Sequence, residues 1–340
     1  MTTQGLDRPA AGARPSSDFA PLAERIKSLG LLDRRRSHYA VSMTVNLMAL
    51  TAVGVGMVLL GDSWWQLALA AAAAVFGTRS GFFGHDAGHQ QIARSHKVNR
   101  VLGLLHGDLL LGMSYGWWTH KHNRHHANPN HEDKDPDLST GVFVWSPDQS
   151  AARRTRFGTW AAAHQHLFFF PVLMLEGLHL KVASWRSLPQ RAPRDRWVEA
   201  PLLALHLAGY LTLVFLAMPV GVGLAFIAVH QALLGLHLGS SFAPNHKGMP
   251  MPRPGERWDF LRKQVLTSRN VRGGALTDFM LGGLNYQVEH HLFPSMPRPN
   301  LRLAQPVVRD YCAEIGVPYT ETGLVESYAI GLRHLRDVSS

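Results

Sequence analysis

The sequence predicts an all-α integral membrane protein: four spanning helices, arranged as two hairpins, carry a helical cap on one side of the bilayer. Three observations predict it. Apolar runs of bilayer length occur in two pairs, uncharged except for Arg79 in the second run, each pair is joined by a short turn, and the segments outside these runs hold nearly all of the 34 Lys and Arg residues. Of 340 residues, 46% are hydrophobic and only 17% charged, where soluble domains carry about 25% charged residues. The mean hydropathy of −0.06 is therefore an average over strongly apolar and ordinary polar stretches.

Residues 1–37 are polar and basic, rich in Pro, Gly and Ser and including Arg34-Arg35-Arg36, and are expected to be disordered. No apolar core follows a short basic start, so no cleaved signal peptide is expected. Residues 40–61 contain no Asp, Glu, Lys or Arg. As a helix these 22 residues are about 33 Å long, enough to cross a hydrocarbon core of about 30 Å. After Gly61-Asp62-Ser63 a second span is expected over 64–84, with Trp64-Trp65 suited to the membrane interface. Residues 200–245 are free of all four charged residue types. Met218-Pro219-Val220-Gly221 is a turn signal inside that run, giving spans at about 200–217 and 221–241. The interrupted apolar stretches 101–118 and 157–180 are expected to lie in or dip into the interface. The cap is then built from 85–199 and 246–320. Two hairpins put both termini and the cap on one side, which the positive-inside rule assigns to the cytoplasm.

The chain has 20 histidines and one cysteine. A single cysteine excludes an internal disulfide framework, a cysteine-based zinc site and an Fe–S cluster of the chain's own, so metal or redox chemistry falls to imidazole. Three clusters stand out. His85 and His89 are spaced i, i+4, directly after the second span. His122, His125 and His126 are spaced i, i+3, i+4, and Gln287, His290 and His291 repeat that pattern. Each spacing places the side chains on one helical face. Seven histidines exceed what one tetrahedral zinc uses and point to a dinuclear centre, although imidazole alone does not name the metal. His38, His96, His131 and His334 are expected to be solvated; His106, His179, His206 and His230 are expected to be structural.

The flanking residues extend the pattern: His85-Asp-Ala-Gly-His89-Gln; Trp117-Trp118-Thr-His-Lys-His122-Asn-Arg-His125-His126-Ala-Asn-Pro-Asn with Asp135-Pro-Asp137; and Leu284-Asn-Tyr-Gln287-Val-Glu-His290-His291-Leu-Phe-Pro-Ser-Met-Pro-Arg298. The chain resembles the membrane fatty acid desaturase superfamily, above all its front-end branch of delta-5, delta-6 and delta-8 enzymes, which the glutamine of the third cluster marks. The resemblance implies a desaturase domain over 38–320, leaving 321–340 as a tail. It implies two iron ions held by His85, His89, His122, His125, His126, His290 and His291, and by a histidine after the fourth span. His246 matches that position through its Asn-His pair, and His237 is the alternative. Gln287 becomes a weak ligand or an orienting group. Asp86, Asp135, Asp137 and Glu289 become possible acceptors that hold imidazole tautomers, with helix capping the alternative for Asp135 and Asp137.

The implied reaction is O2-dependent insertion of a cis double bond into an acyl-lipid or acyl-CoA. Many relatives carry a fused cytochrome b5 domain with a His-Pro-Gly-Gly haem motif. This sequence has no such motif, nor a flavin or nicotinamide fingerprint, so no haem, flavin or Fe–S cluster of its own is expected. Electrons are expected from a separate ferredoxin, flavodoxin or cytochrome b5 with its reductase. The formal net charge of +10 suits an acidic carrier and anionic lipid headgroups equally, and no nucleic-acid partner is expected. A hydroxylase or ketolase on the same scaffold is the nearest alternative. A metal transporter fits less well, because the three clusters lie outside the spans. The expected location is a bacterial inner membrane.

Overall fold

The computed structural model describes residues 17–339. Helix α1 (Phe19–Ser28) precedes a hairpin of α2 (Arg36–Leu60) and α3 (Gln66–Gly88). Next, α4 (His96–Gly103) runs into a wide π-helical segment, Leu104–Leu111, and α5 (Tyr115–Ala127) follows. Short helices α6 (Pro147–Ala151) and α7 (Arg156–Ala163) lead to α8 (Gln165–Leu173) and α9 (Glu176–Ser187). The second hairpin is α10 (Pro193–Ala217) and α11 (Val220–His246). The rest of the cap comprises α12 (Phe260–Leu266), β1 (Asn270–Arg272), α13 (Ala275–Met280), α14 (Gln287–Leu292), α15 (Arg298–Glu314), β2 (Glu321–Gly323) and α16 (Leu324–Asp337).

Among the described residues α2, α3, α10 and α11 are the four helices long and apolar enough to cross a membrane. They divide by burial. The most apolar windows of α2 and α10 are 17% buried, whereas those of α3 and α11 are 44% and 39% buried. The inner pair α3 and α11 pack chiefly on each other, and these are the two that carry histidines into the cap. Small residues allow the contact: Ala70, Ala74, Gly77 and Gly81 of α3 are buried, as transmembrane packing favours. At Gly235 of α11 a Cβ would lie 2.7 Å from Gly177 N and Leu173 O, so this backbone-to-backbone contact requires glycine. The apolar stretch expected at the interface is the pair Gln165–Leu173 and Glu176–Gln190, bent by 70°.

The spans run beyond the apolar runs that signalled them. α3 continues to Gly88 and α11 to His246, and α10 begins at Pro193, because the polar residues of these extra turns find partners in the cap. Two expectations about the ends change. Residues 1–16 of the segment expected to be disordered lie outside the described residues, but Phe19–Ser28 is helical, with Leu22 and Ile26 fully buried. Its apolar stripe packs on a cap core of Leu261, Val288, Leu292, Leu301, Val308 and Cys312, and that burial offsets the ordering cost. Residues 321–339 of the expected tail are built into the fold: β2 pairs in parallel with β1, Asn270 opposite Glu321, and α16 packs on α8 and α11. Among the described residues this short parallel pair is the one sheet added to the helical architecture.

Candidate metal centre

Each histidine cluster sits where its local sequence directs it. Box one ends the inner span: His85 lies in the last turn of α3, and the backbone N–H of His89 closes the helix by donating to His85 O (3.1 Å). Box two rides on α5, which starts at Ser114, whose hydroxyl accepts from Trp117 N (3.0 Å), an ordinary N-cap. Box three forms the short helix α14, every residue of which is buried.

The three boxes and the end of α11 meet at the junction of bundle and cap. Ligand nitrogens of His85, His89, His122 and His290 lie within 4.8 Å of one another, as do those of His125, His246 and His291. His126 stands between the two groups. Its ring stacks on His291 at 4.2 Å, and its Nε2 is 3.0 Å from His122 Nε2. His85 Nε2 and His290 Nε2 face each other at 3.2 Å. Two nitrogens bound about 2.1 Å from one ion stand roughly 3.0–3.4 Å apart, so these facing pairs suit a shared cation. His89 Nε2 and His291 Nε2 are buried without a partner, as metal-directed lone pairs in an all-protein environment would be.

On four of the rings the outward nitrogen is committed, whereas Nδ1 of His126 and of His290 is buried without a partner. His85 Nδ1 meets Asp86 Oδ1 at 3.1 Å, and His125 Nδ1 meets the Asp135 carboxylate at 3.0 and 2.9 Å. His246 Nδ1 donates to Thr267 O (2.9 Å), and His291 Nδ1 meets Gln264 Oε1 (3.0 Å). An outer acceptor that fixes the tautomer and turns the other nitrogen inward is the usual support of a histidine metal ligand. Asp86 also accepts from Tyr39 Oη (3.0 Å) and pairs with Arg298 (2.5 Å), tying α2 and α15 to the first box. Asp135 caps the Pro136–Leu138 turn as well, accepting from Asp137 N (2.9 Å) and from Asn130 N (2.7 Å). Asp137 pairs with Lys121 at 2.6 Å and lies 3.5 Å from His125 Nδ1. His125, Asp135 and Asp137 also lie close enough to hold an ion, yet each of these carboxylates already receives donors, so they form the outer support of His125.

Electrostatics agree with this division of labour. Burial, reinforced by neighbouring imidazoles, holds His89, His122, His126, His290 and His291 well below the ordinary imidazole range. They are therefore neutral at pH 7 and have lone pairs to offer. Burial acts the same way on His125, but the Asp135 carboxylate outweighs it and raises that group.

Three sequence expectations resolve differently from one another. His246 belongs to the second group, whereas His237 spends its Nε2 on Met280 O (2.7 Å) and packs edge-on against Phe82. Gln287 reaches the centre, its Nε2 2.9 Å from His246 Nε2 and its Oε1 accepting from Asn245 Nδ2 (3.2 Å). Glu289 turns away from the histidines, accepting from Asn270 Nδ2 (2.7 Å) and Tyr319 Oη (2.8 Å), because its neighbours in sequence occupy the inward face of α14. Burial pushes its carboxyl up to about 7.

Of the histidines expected to be solvated, His38 and His96 are exposed, but His131 is buried and His334 bonds to Trp145 O (3.1 Å). Thr267 and Gln264, which hold two of the rings, carry no sequence signal of that role.

Comparison with known proteins follows the same lines. The family model described as fatty acid desaturase matches residues 62–323. An acyl-lipid (9-3)-desaturase of Physcomitrium patens is 32% identical over 80% of this chain and 53% of its own length. Delta(8)-fatty-acid desaturase 2 of Arabidopsis thaliana is 28% identical over 95% of this chain and 75% of its own length. Delta(6)-fatty-acid desaturase fat-3 of Caenorhabditis elegans is 27% identical, with coverages of 94% and 74%. The chain thus spans about half the length of the moss relative and about three quarters of the other two. With the helical membrane architecture, the converging histidine boxes and a family match over most of its length, the chain belongs to the fatty acid desaturase family.

Proposed function

We propose that this chain is an O2-dependent acyl desaturase. It takes two hydrogens from adjacent methylenes of an acyl-lipid or acyl-CoA and leaves a cis double bond, at two iron ions held by His85, His89, His122, His125, His126, His246, His290 and His291. The observation that carries the reading is the convergence of eight imidazoles from four segments in one buried junction. When bound, the two irons would supply the four-electron reduction of O2 to two waters, with two electrons and two protons from the acyl chain and two electrons and two protons from outside.

The chain's own residues have three tasks. Asp86, Asp135, Thr267 O and Gln264 hold the outward nitrogens of four rings and so fix which nitrogen faces inward. Trp118 stacks on His122 at 4.4 Å and joins an apolar cluster of Ala74, Leu111, Met113, Leu234 and Leu238. That cluster excludes water and gives a featureless acyl chain an apolar wall beside the ligands. Third, the short turns between spans keep both hairpins pointing the same way, so the cap and both described ends share the cytoplasmic side. The single cysteine leaves no Fe–S cluster to the chain, and electrons come from a separate ferredoxin, flavodoxin or cytochrome b5 with its reductase; the net charge of +10 favours an acidic carrier.

Expression with a compatible reductase in a host lacking such lipids, followed by mass spectrometry, tests the function. New acyl chains two mass units lighter, with one located double bond, are expected. Chains gaining one oxygen would make it a hydroxylase, and unchanged lipids from inserted, iron-loaded protein would sink the proposal.

A further inference from the structure

The last turn of α11 is interrupted by Pro244, two residues before His246. Proline has no N–H, so the carbonyl of Ser240, four residues earlier, loses its helical donor. That carbonyl instead accepts from the Tyr328 hydroxyl of α16 at 2.6 Å. The carbonyls that follow are tied down just as completely. Pro244 O accepts from Arg269 Nε (3.0 Å) and Nη2 (2.5 Å) and from Ser327 Oγ (2.5 Å). Asn245 O accepts from the backbone N–H of Arg269 (2.8 Å), and Lys247 O from Arg269 Nη2 (3.0 Å). His246 O accepts from Asn130 Nδ2 (2.9 Å).

Arg269 is 1% exposed, and its guanidinium also meets Ser327 Oγ at 2.8 Å and Ser327 O at 3.2 Å. Its positive charge sits against the carbonyl end of a helix, where a cation is favoured. The guanidinium spreads five donors over three nitrogens in a fixed plane, whereas an ammonium offers three donors from a single nitrogen and cannot span the same set of carbonyls.

We propose that Arg269, together with Ser327 and Tyr328 of α16, is a positioning clamp: it fixes the broken end of α11 and so aims the His246 ring at the metal group it shares with His125 and His291. The proposal rests on the reading of that group as a metal site. It gives the C-terminal helix α16, which lies beyond the family-matched segment 62–323, a part in assembling the centre.

The test is Co2+ titration of the full-length, chelator-stripped protein in lipid nanodiscs, followed by the visible absorption of the bound ion. The unaltered chain takes up two ions in two steps. Arg269→Lys, which keeps the charge and loses the fork, is expected to weaken one step about 10–100-fold and leave the other in place. Tyr328→Phe removes a single hydroxyl and is expected to weaken the same step about threefold; it keeps the proposal testable if Arg269→Lys does not fold. Wild-type titration curves in both variants, or an equal shift of both steps, would overturn the clamp. An unaltered chain that binds fewer than two ions would overturn the metal reading itself and the clamp with it.

Discussion

An imidazole offers a lone pair only from the nitrogen that carries no proton, so the acceptor behind each ring governs what the ring can do in front. Asp135 is the clearest case, because both of its oxygens face His125 Nδ1. Asp135→Asn replaces one of them with a donor, and metal affinity is expected to fall about 10–100-fold, read as iron per chain after dialysis against a weak chelator. His246 and His237 make a matched pair for the same assay. His246→Ala is expected to lose one of two metals. His237→Ala, which removes a bond to Met280 O, should keep both and lower stability by about 1 kcal/mol; loss of metal there would reverse the assignment. The boxes were legible in the sequence because helical spacing alone puts His122, His125 and His126 on one face. The acceptors were legible only where they were neighbouring carboxylates, as with Asp86 and Asp135. Thr267 offers a backbone carbonyl, which every residue possesses, and Gln264 meets His291 across 27 positions, so neither could be picked out by type or spacing.

At the level of elements, the spans announced themselves by the absence of charge, while the helices at the two ends did not, because their apolar faces are narrow. Phe19, Leu22, Ala23 and Ile26 follow an i, i+3, i+4, i+7 stripe inside an otherwise polar segment, and composition hid what periodicity contained. That stripe covers the core holding Cys312, whose thiol burial pushes up to about 12. The intact chain is therefore expected to resist thiol-reactive reagents at pH 8. Leu22→Ala should cost about 2–5 kcal/mol and bring labelling forward to lower denaturant, and equal labelling of both proteins without denaturant would refute the packing. Gly235 makes the corresponding case inside the bundle. Gly235→Val would drive its side chain into the backbone of Leu173 and Gly177, and a loss of about 1–3 kcal/mol is expected. Gly209→Ala, with nothing within 4 Å of the added carbon, is the control and should leave the melting temperature in nanodiscs unchanged.

For the molecule as a whole, the arrangement depends on direction: the metal group can assemble only if α3 and α11 both end on the cap side. The turns at the opposite ends carry no Lys or Arg, Gly61-Asp62-Ser63-Trp64-Trp65 in one and Met218-Pro219 in the other, while the basic residues collect in the cap. Under the proposed topology, the positive-inside rule leads us to expect the cap in the cytoplasm. The single native cysteine makes the arrangement testable, since Cys312 is fully buried and contributes little background. Asp62→Cys, at an exposed position in the first turn, is expected to react with a membrane-impermeant maleimide on intact cells or right-side-out vesicles. Asp310→Cys, exposed on α15 of the cap, should react only after the membrane is opened or in inverted vesicles. The reverse pattern would put the cap outside, away from any cytoplasmic electron carrier. Labelling of both positions from the same face would mean that the first hairpin does not cross the membrane, and then His85 and His89 could not enter the centre from beneath the cap.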